Sequence, residues 1–371
     1  MLKPKILFIL HYPPPVVGAA VVGQFIKESS AINTSFEADY INLATASDLR
    51  QINKGGLAKI GTFFKIQWKV IKALFAKSYD LCYLSFTAKG LGFYKDLAIV
   101  LVLKLFRKSV IYHMHNKGVQ PNSKNKFNDF CYQLAFNSAK VILLSPHLYQ
   151  DIAKYVPADR VFYCPNGIPA TPQDSDLSKE RQESDTGKIL FLSNMTVEKG
   201  AYVLLEACKL LKEKGAIFEC HFVGDWFDIS ESDFQRKIAL YGLDTCVFAH
   251  GKKYGEEKEY FLRSANIFAL PTYYHNECFP LVLLEAMKYA LPIVSTSEGG
   301  IADIVVENET GFIVTQQDAA ALEEKLEALI NAPKLRSTLG VAGRERYERL
   351  YTLDSFEKNI TRILKTAVQK D

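Results

Sequence analysis

The sequence predicts an α/β protein with two domains, each built on a parallel sheet, that face each other across a cleft. At 371 residues the chain is longer than one hydrophobic core ordinarily requires. Apolar runs of strand length alternate with helical stretches in both halves, which is typical of parallel strands joined by crossover helices. Between the halves, residues 170–187 are polar and have no hydrophobic period, so a linker is predicted at 171–187.

The predicted first domain covers residues 1–170. It begins with a buried strand at Lys5–Leu10, and a proline-rich loop containing Gly18 and Gly23 then leads into a helix. Further strands are expected at 79–85, 109–114, 140–145 and 161–164, and helices at 92–107 and 126–138.

The predicted second domain covers residues 188–350 and repeats the alternation. Strands are expected at 188–193, 218–223, 246–249, 266–270, 292–295 and 312–314. Helices are expected at 199–214, 231–241, 256–264, 280–290 and 318–331. The tail from about 335 to 370 has a helical pattern with a break near Tyr351-Thr352.

Composition excludes several classes of protein. The seven cysteines are scattered and form no CxxC pair, which excludes a disulfide framework and favours a reducing compartment. The apolar run Ile6–Leu10 is too short for a signal peptide, and no run reaches the roughly 18 residues of a transmembrane helix. We therefore expect a cytoplasmic protein.

Charge is divided unevenly along the chain. Residues 1–172 carry 21 Lys and Arg against 9 Asp and Glu, a net charge of +12, whereas residues 173–371 carry −8. A basic half favours an anionic lipid surface, a phosphorylated acceptor or nucleic acid as its partner. The basic half shows no recognised nucleic-acid motif, so we expect no nucleic-acid partner.

Residues 50–79 are the most basic segment, with Arg50, six lysines and no acid. Three of the lysines share one helical face beside aromatic residues: Lys65, Lys69 and Lys72, beside Phe63, Phe64 and Trp68. A basic amphipathic helix of this kind can lie on an anionic membrane, here the inner face of the cell membrane. The solvated face of a surface helix explains the pattern equally well, and both interpretations remain open.

The segment 271–300 combines acids with a possible anion site. Glu285 lies in a helix that is apolar on nearly every face, as buried helices are. Pro280 opens this helix, whose first N–H groups and positive dipole end suit a phosphate. Glu277 lies in the loop just before it. The combination predicts a ligand with hydroxyls and phosphates, and the alternative is that Glu285 is a core acid paired with a buried Arg or Lys.

Five motifs follow the predicted strands of the second domain, at the carboxyl ends where parallel sheets bind ligands. They are 194–200, Gly224-Asp225, His250-Gly251-Lys252, Glu277 and Gly299-Gly300.

These motifs and their neighbours occur in a characteristic order: Asn166-Gly167-Ile168, Glu198-Lys199-Gly200, Phe222-Val223-Gly224-Asp225, Pro271-Thr272, Glu277-x7-Glu285, Gly299-Gly300-Ile301 and Thr310-Gly311-Phe312. In them the chain resembles the family 4 glycosyltransferases, retaining enzymes that use nucleotide-sugars and have the GT-B fold of two Rossmann-like domains. The resemblance covers nearly the whole chain. It implies that the C-terminal helix, within 351–371, packs back on the N-terminal domain.

The resemblance also implies roles for single residues. Glu285 would hold the nucleotide ribose, and Glu277 would lie beside the transferred sugar as a catalytic residue. Lys199 would neutralise the leaving diphosphate. Backbone around the start of the helix would line the sugar and diphosphate, at Phe279, Pro280, Leu281 and Val282. The remaining donor contacts would come from Gly18, Asn194, Gly224 and Gly251.

One position departs from the family pattern. Many relatives carry an arginine five or six residues before the lysine, and this chain has Asn194 in that region. Asn194 donates hydrogen bonds but brings no charge. Either Lys199 and the helix dipole suffice, or Lys252 or Arg263 compensates.

A histidine just past strand 109–114 would lie near the anomeric centre in this family. His115 fits best as the catalytic histidine, and His113 is the second choice. The alternatives are a hydrogen-bonded structural histidine and a metal site, but no third or fourth ligand accompanies the HxH pair. The resemblance implies that neither a metal nor another cofactor is needed.

The sequence therefore predicts a retaining, metal-independent glycosyltransferase. It would move a sugar from a nucleotide-diphosphate sugar to a glycan or lipid-linked acceptor, in the synthesis of a cell-surface polysaccharide or glycolipid. The alternatives are a non-catalytic nucleotide-sugar-binding partner subunit and a nucleotide-sugar epimerase of the GT-B fold.

Overall fold

The structure is a computed structural model that describes residues 3–14, 17–44, 57–170 and 187–369. The chain forms two compact units. The first unit is Met1–Gly167 together with Leu353–Asp371, and the second unit is Ile168–Thr352. The predicted linker lies outside the described residues, apart from Gly187.

The first unit contains a six-stranded parallel sheet in the order β2-β1-β3-β4-β5-β6. Its strands are β1 (Lys5–Leu10), β2 (Glu37–Asn42), β3 (Leu81–Phe86), β4 (Val110–Met114), β5 (Lys140–Leu143) and β6 (Val161–Tyr163). Strand β2 was not predicted. It is an edge strand in which only Ile41 is buried, so its sequence lacks the apolar run that marks a central parallel strand.

The helices of the first unit that precede β6 are α1 (Gly18–Glu28), α2 (Ser30–Ser35), α3 (Leu57–Ala76), α4 (Gly90–Leu105), α5 (Val119–Asn122) and α6 (Lys126–Phe136). Helix α1 begins earlier than the sequence suggests, at Gly18, so Gly23 lies inside the helix. A Cβ at Gly23 would overlap the carbonyl oxygen of His11. Glycine is therefore required there because α1 passes directly against the end of β1.

The second unit contains another six-stranded parallel sheet, in the order β12-β11-β10-β7-β8-β9. Its strands are β7 (Gly187–Leu192), β8 (Phe218–Val223), β9 (Val247–Ala249), β10 (Ile267–Leu270), β11 (Ile293–Thr296) and β12 (Gly311–Val314). Its helices are α7 (Ala201–Glu213), α8 (Glu231–Leu240), α9 (Gly255–Ser264), α10 (Leu281–Lys288), α11 (Ile301–Ile304), α12 (Ala319–Asn331) and α13 (Pro333–Leu350).

The last helix, α14 (Leu353–Val368), belongs to the first unit. Its apolar face packs into the same core as α1, α2 and one face of the first sheet, through Phe356, Ile360, Ile363, Leu364 and Ala367. The predicted fold class, two Rossmann-like parallel-sheet domains with a final helix that returns to the first, is confirmed. No helix in the described part of the chain is long and apolar enough to cross a membrane.

Candidate functional site

The strand order of the second sheet creates a switch point between β7 and β10. From β7 the chain proceeds to β8 and β9 on one side, and β10, β11 and β12 add on the other. Ligands of parallel sheets bind beyond the carboxyl ends of the strands at such a point. The two loops that leave it are 193–200, after β7, and 271–280, after β10, and they carry Lys199 and Glu277.

Backbone contacts hold these two loops together. Gly200 has a left-handed φ of +83°, and a Cβ there would overlap the carbonyl oxygen of Pro271. The backbone N–H of Tyr273 donates to the carbonyl oxygen of Glu198 at 2.8 Å. Helix α7 therefore begins at Ala201, after a 3₁₀ turn at Val197–Lys199, and not at residue 199 as predicted. This turn fixes Lys199 over the neighbouring loop.

Lys199 forms an ion pair with Glu277. Both side chains are largely buried, with 19% of Lys199 and 10% of Glu277 exposed. The Lys199 ammonium also lies 4.9 Å from the centre of the Tyr274 ring, where the ring face attracts a cation. Each charge of such a buried pair depends on the other, because either one alone would be left desolvated and unpaired.

The loop that carries Glu277 is fixed from its other side by the Gly299-Gly300 turn. Gly299 has a φ of +60°, and a Cβ there would overlap the carbonyl oxygen of Glu277. The N–H of Gly300 donates to the carbonyl oxygen of Cys278 at 2.7 Å. The double glycine that follows β11 therefore positions the acid that follows β10.

Helix α10 begins directly after this loop. Pro280 is its N-cap residue and provides no side-chain hydrogen bond, and the first turn contains no acid. Leu281 and Val282 are partly exposed, whereas Phe279 is buried and packs edge-on against Tyr351. The positive end of the helix dipole is thus not neutralised by a carboxylate in its own first turn, which suits an anion.

The environment of Glu285 differs from the one predicted from the sequence. Helix α10 is not buried on nearly every face, because Glu285, whose side chain is 22% exposed, lies on a partly exposed side together with Val282. Lys258 of α9 donates to Glu285 Oε1 at 2.7 Å, so the acid does have a lysine partner. Its other oxygen, Oε2, is buried and has no hydrogen-bond partner. A carboxylate with one oxygen held and one unpaired is equipped to accept a hydroxyl donor.

The ends of β7, β8 and β9 meet at Gly224 and Gly251. The N–H of Gly224 donates to the carbonyl oxygen of Gly251 at 2.9 Å, and a Cβ at Gly224 would overlap the carbonyl oxygen of Ser193. Asn194 follows Ser193 and is exposed at this edge. The absence of a Cβ at Gly224 therefore lets the ends of β7 and β8 approach closely, and its hydrogen bond to Gly251 joins the end of β9 to them.

The structure separates the two cations proposed to compensate for Asn194. Lys252 lies at this edge and pairs with Asp225 at 3.1 Å. Arg263 lies in the last turn of α9, with its guanidinium 5.9 Å from the ring of Tyr289, the residue that ends α10. The start of α10 is about 12 Å from that end. Arg263 is therefore at the wrong end of the helix to compensate.

A histidine pair in the second unit was missed by the sequence interpretation. His221 Nδ1 and His250 Nε2 are 3.0 Å apart. Burial is the main cause that lowers the pKa of each imidazole, and for His250 the neighbouring His221 and Lys253 lower it further. His221 lies within β8, and the strand pattern around it in the sequence does not indicate a partner 29 residues away.

In the first unit, β4 ends in two histidines with different surroundings. His113 is fully buried, and its Nε2 atom has no hydrogen-bond partner. Its Nδ1 atom lies at hydrogen-bond distance from the Tyr83 hydroxyl, which donates to it when the imidazole proton is on Nε2. The ring of His115, the predicted catalytic residue, is centred 4.1 Å from that of His113. Burial lowers the pKa of His115 to about 4. Burial, and to a lesser extent His115, also lowers the pKa of His113, so both imidazoles are neutral at neutral pH.

His11, at the end of β1, joins this cluster and was also missed. Burial, together with Lys95 and His115, lowers its pKa to about 3. Gly18 begins α1 and has no neighbouring atom within 4 Å of its Cβ position. Among the described residues, no group of three or more His, Cys, Asp or Glu could hold a metal ion.

Comparison with known proteins finds a family model that matches most of the second unit. Residues 173–346 match the model of the glycosyl transferases group 1. The amylovoran biosynthesis glycosyltransferase AmsK of Erwinia amylovora is 32% identical over 197 residues, 52% of this chain and 47% of that protein. The capsular polysaccharide biosynthesis glycosyltransferase CapM of Staphylococcus aureus is 32% identical over 172 residues, 46% and 43% of the two chains. The chain thus matches less than half the length of these relatives.

Solved structures resemble nearly the whole chain. Anabaena Alr3699/HepE, in a complex with UDP, has a TM-score of 0.74 at 19% identity and covers 98% of this chain and 100% of its own. WaaG, a glycosyltransferase involved in lipopolysaccharide biosynthesis, has a TM-score of 0.65 at 15% identity, covering 96% and 99%. These likenesses confirm the GT-B fold, and the family match confirms the resemblance. The roles of the single residues stay predictions.

Proposed function

We propose that this chain, whose residues 173–346 belong to the group 1 glycosyl transferases, is a retaining, metal-independent glycosyltransferase that uses a nucleotide-diphosphate sugar. One observation carries the proposal. At the switch point of the second sheet, Lys199, on the loop after β7, is paired with the buried Glu277, on the loop that leads into the open start of α10. A cation and a helix N-terminus together suit a diphosphate.

In the proposed reaction, the bond between the anomeric carbon and the diphosphate oxygen breaks, and its electron pair leaves with the nucleoside diphosphate. The acceptor hydroxyl oxygen bonds to the same carbon, and its proton passes to the departing diphosphate. Lys199 exchanges Glu277 for the diphosphate and neutralises the charge that develops there. Glu277, released from the lysine, faces the sugar hydroxyls and the positive charge at the anomeric carbon.

In this proposal Glu285 binds the nucleotide part of the donor, and His115 binds its sugar. Glu285 accepts a ribose hydroxyl at Oε2 while Lys258 holds Oε1 in place. His115 hydrogen-bonds a sugar hydroxyl as a neutral imidazole, since burial keeps its pKa near 4. The remaining donor contacts in this proposal are made by backbone at Gly18, Gly224 and Gly251 and around the start of α10, and by the side-chain amide of Asn194.

The acceptor in this proposal is a glycan or a lipid-linked glycan. Two relatives are named for the biosynthesis of amylovoran and of a capsular polysaccharide, and the second name supports a surface polysaccharide as the product. The chain would work in the cytoplasm and reach acceptors at the inner face of the membrane through the basic helix α3. The part of segment 50–79 before Leu57 lies outside the described residues.

Transfer assays with UDP-, GDP-, ADP- and dTDP-sugars test this function. With the active donor, Lys199→Ala should lower kcat/KM by about 10²- to 10³-fold, because charge on the leaving group is no longer neutralised. The matched control is Lys209→Ala, which removes an exposed lysine of α7 that pairs with Glu213. Chelation with EDTA should leave the rate unchanged, and NMR of the product should show the donor's anomeric configuration.

Three outcomes would contradict the proposal: wild-type rates in Lys199→Ala, loss of activity on chelation, or an inverted product. Turnover of the donor without an acceptor would instead indicate an epimerase. Failure of every nucleotide-sugar to bind would indicate another function for this fold.

A further inference from the structure

Three helices of the first unit lie side by side on one face of its sheet. Helices α3, α4 and α6 connect β2 to β3, β3 to β4 and β4 to β5, and each connection moves in the same direction across the sheet. Because crossovers between parallel strands are right-handed, all three helices lie on the same face. Phe75 packs edge-on against Phe106 just beyond α4, and the Tyr94 hydroxyl of α4 donates to Asn128 of α6.

Each of these helices turns large apolar side chains to solvent. At 100° per residue, Phe64, Trp68 and Phe75 of α3 fall within a 40° arc of the helix circumference. Ten of the nineteen exposed large hydrophobic residues of the described chain are on these three helices. Exposed apolar side chains are therefore clustered on this face of the first unit and are not spread evenly over the surface. We call them the apolar surface: Phe64, Trp68, Phe75, Leu91, Tyr94, Leu101, Leu105, Phe127, Phe130 and Leu134.

Helix α4 shows most clearly that this face needs a partner. Its inner side contributes Phe93, Leu97 and Val100 to the core, and its outer side exposes Leu91 by 79% and Leu105 by 80%. A helix that is apolar all round is ordinarily covered on every side, by protein or by lipid.

The charges that border the apolar surface are positive. Lys65, Lys69 and Lys72 are exposed and form a second stripe on α3, beside the aromatic one, and α3 contains no acid. The single acid of α4, Asp96, is fully buried, and the acid of α6, Asp129, is paired with Lys154. Phosphates of an anionic bilayer would meet lysines here and no unpaired carboxylate.

We propose that α3, α4 and α6 form one docking surface for an anionic lipid bilayer, with the aromatic and leucine side chains in the interfacial layer and the lysines on lipid phosphates. The surface extends the contact proposed for α3 to two further helices. A second copy of the chain fits less well, because an identical surface carries the same lysines and has no unpaired acid on these three helices to pair with them. Trp, Tyr and Phe beside lysines are the side chains that anchor proteins at this depth.

Trp68 provides a direct probe of the surface. The chain has two tryptophans, so Trp226→Phe leaves Trp68 as the only one. Mixed with phosphatidylcholine vesicles that contain phosphatidylglycerol, this protein should show blue-shifted Trp68 emission and quenching by brominated lipid. Vesicles of phosphatidylcholine alone should give a much weaker response. The assay needs neither donor nor acceptor, so its failure is distinguishable from failure of the proposed glycosyl transfer.

The decisive variants lie on different helices. Phe127→Ser with Phe130→Ser, on α6, should weaken vesicle binding by about tenfold or more although α3 is unchanged. Lys65→Glu, Lys69→Glu and Lys72→Glu together should abolish the preference for phosphatidylglycerol. The matched control is Leu240→Ser with Tyr260→Ser, which alters equally exposed residues of α8 and α9 in the second unit.

Binding that persists unchanged in the α6 variant would overturn the three-helix surface, even if α3 alone binds vesicles. Absence of vesicle binding by the wild type would overturn it as well. Concentration-dependent self-association in sedimentation, lost in the α6 variant, would assign the same surface to a second copy and contradict the proposal. Circular dichroism and thermal melting should match wild type in every variant, since the altered side chains are exposed.

Discussion

Glu277 supplies the negative charge that Lys199 requires, and a diphosphate would have to replace it. The pair is largely buried, so each partner compensates the desolvation of the other. The same acid is the side chain expected beside the transferred sugar. Exchange of Lys199 from the carboxylate to the diphosphate would therefore couple donor binding to the release of Glu277.

This exchange predicts opposite effects of one substitution on binding and on transfer. Glu277→Gln keeps the shape but removes the charge that competes for Lys199, so nucleoside diphosphate should bind several-fold more tightly in calorimetric titration. Transfer should fall by about 10²-fold, because the acid is lost from the sugar side. Glu213→Gln, which alters an exposed acid paired with Lys209, is the control. Weaker diphosphate binding together with an intact transfer rate in Glu277→Gln would refute the exchange.

The histidines at the ends of β1 and β4 predict a pH dependence of stability. Burial lowers the pKa of His115 to about 4 and that of His11 to about 3, whereas an unfolded histidine titrates near 6.5. Between pH 6.5 and 4 the unfolded chain binds protons that the folded chain does not. The free energy of unfolding should therefore fall as pH falls through this window, by about 1.4 kcal/mol per pH unit for each group.

Urea unfolding of wild type and His115→Gln at pH 7, 6 and 5 measures this effect. The free energy of unfolding should depend less steeply on pH in His115→Gln than in wild type. His147→Gln, at an exposed histidine, should keep the wild-type dependence. Equal slopes in wild type and His115→Gln would show that His115 is not held neutral by the fold.

At the scale of elements, the turn at Gly200 determines where Lys199 lies. Gly200 and Gly215 both have left-handed φ, +83° and +79°, but a Cβ at Gly215 meets nothing within 4 Å. Gly215→Ala should therefore cost only the backbone strain, about 1–2 kcal/mol. Gly200→Ala adds an overlap with the Pro271 carbonyl, so it should cost more and also weaken diphosphate binding. Denaturant melts with calorimetry measure both, and equal effects of the two variants would contradict the role of this turn.

Helix α14 completes the core of the first unit although it follows β6 by nearly two hundred residues. Leu364 is fully buried against that core, so Leu364→Ala should destabilise the first unit by about 2–5 kcal/mol. Amide hydrogen exchange of β1 should accelerate accordingly, and Thr366→Ala, on the exposed side of α14, should leave it unchanged. Unchanged exchange of β1 in Leu364→Ala would contradict the placement of this helix.

For the molecule as a whole, the sequence predicted the elements whose burial produces a recognisable pattern of neighbouring apolar residues. The central strands β1, β3 and β7 are buried on both faces along most of their length and are nearly continuous apolar runs in the sequence, so their positions could be predicted within a residue or two. The edge strand β2 leaves no such run, and it was missed.

The contacts of the site could not be read from one chain, because they join residues far apart in sequence. Lys258 reaches Glu285 across 27 residues, and Lys199 reaches Glu277 across 78. His11 gave no local signal, since only the parallel sheet, with β3 between them, brings the end of β1 near the end of β4. The order of the motifs indicated which residues belong to the candidate site, but only the packing of the chain shows which of them pair with each other.

The most direct test of the proposed donor site is calorimetric titration with nucleosides and their mono- and diphosphates, in the uridine, guanosine, adenosine and thymidine series. In the series that binds, the diphosphate should bind about tenfold or more tightly than the monophosphate to wild type and to Lys209→Ala. In Lys199→Ala that advantage should largely disappear while nucleoside binding is kept. A diphosphate advantage that survives in Lys199→Ala, or the absence of binding in all four series, would contradict the account.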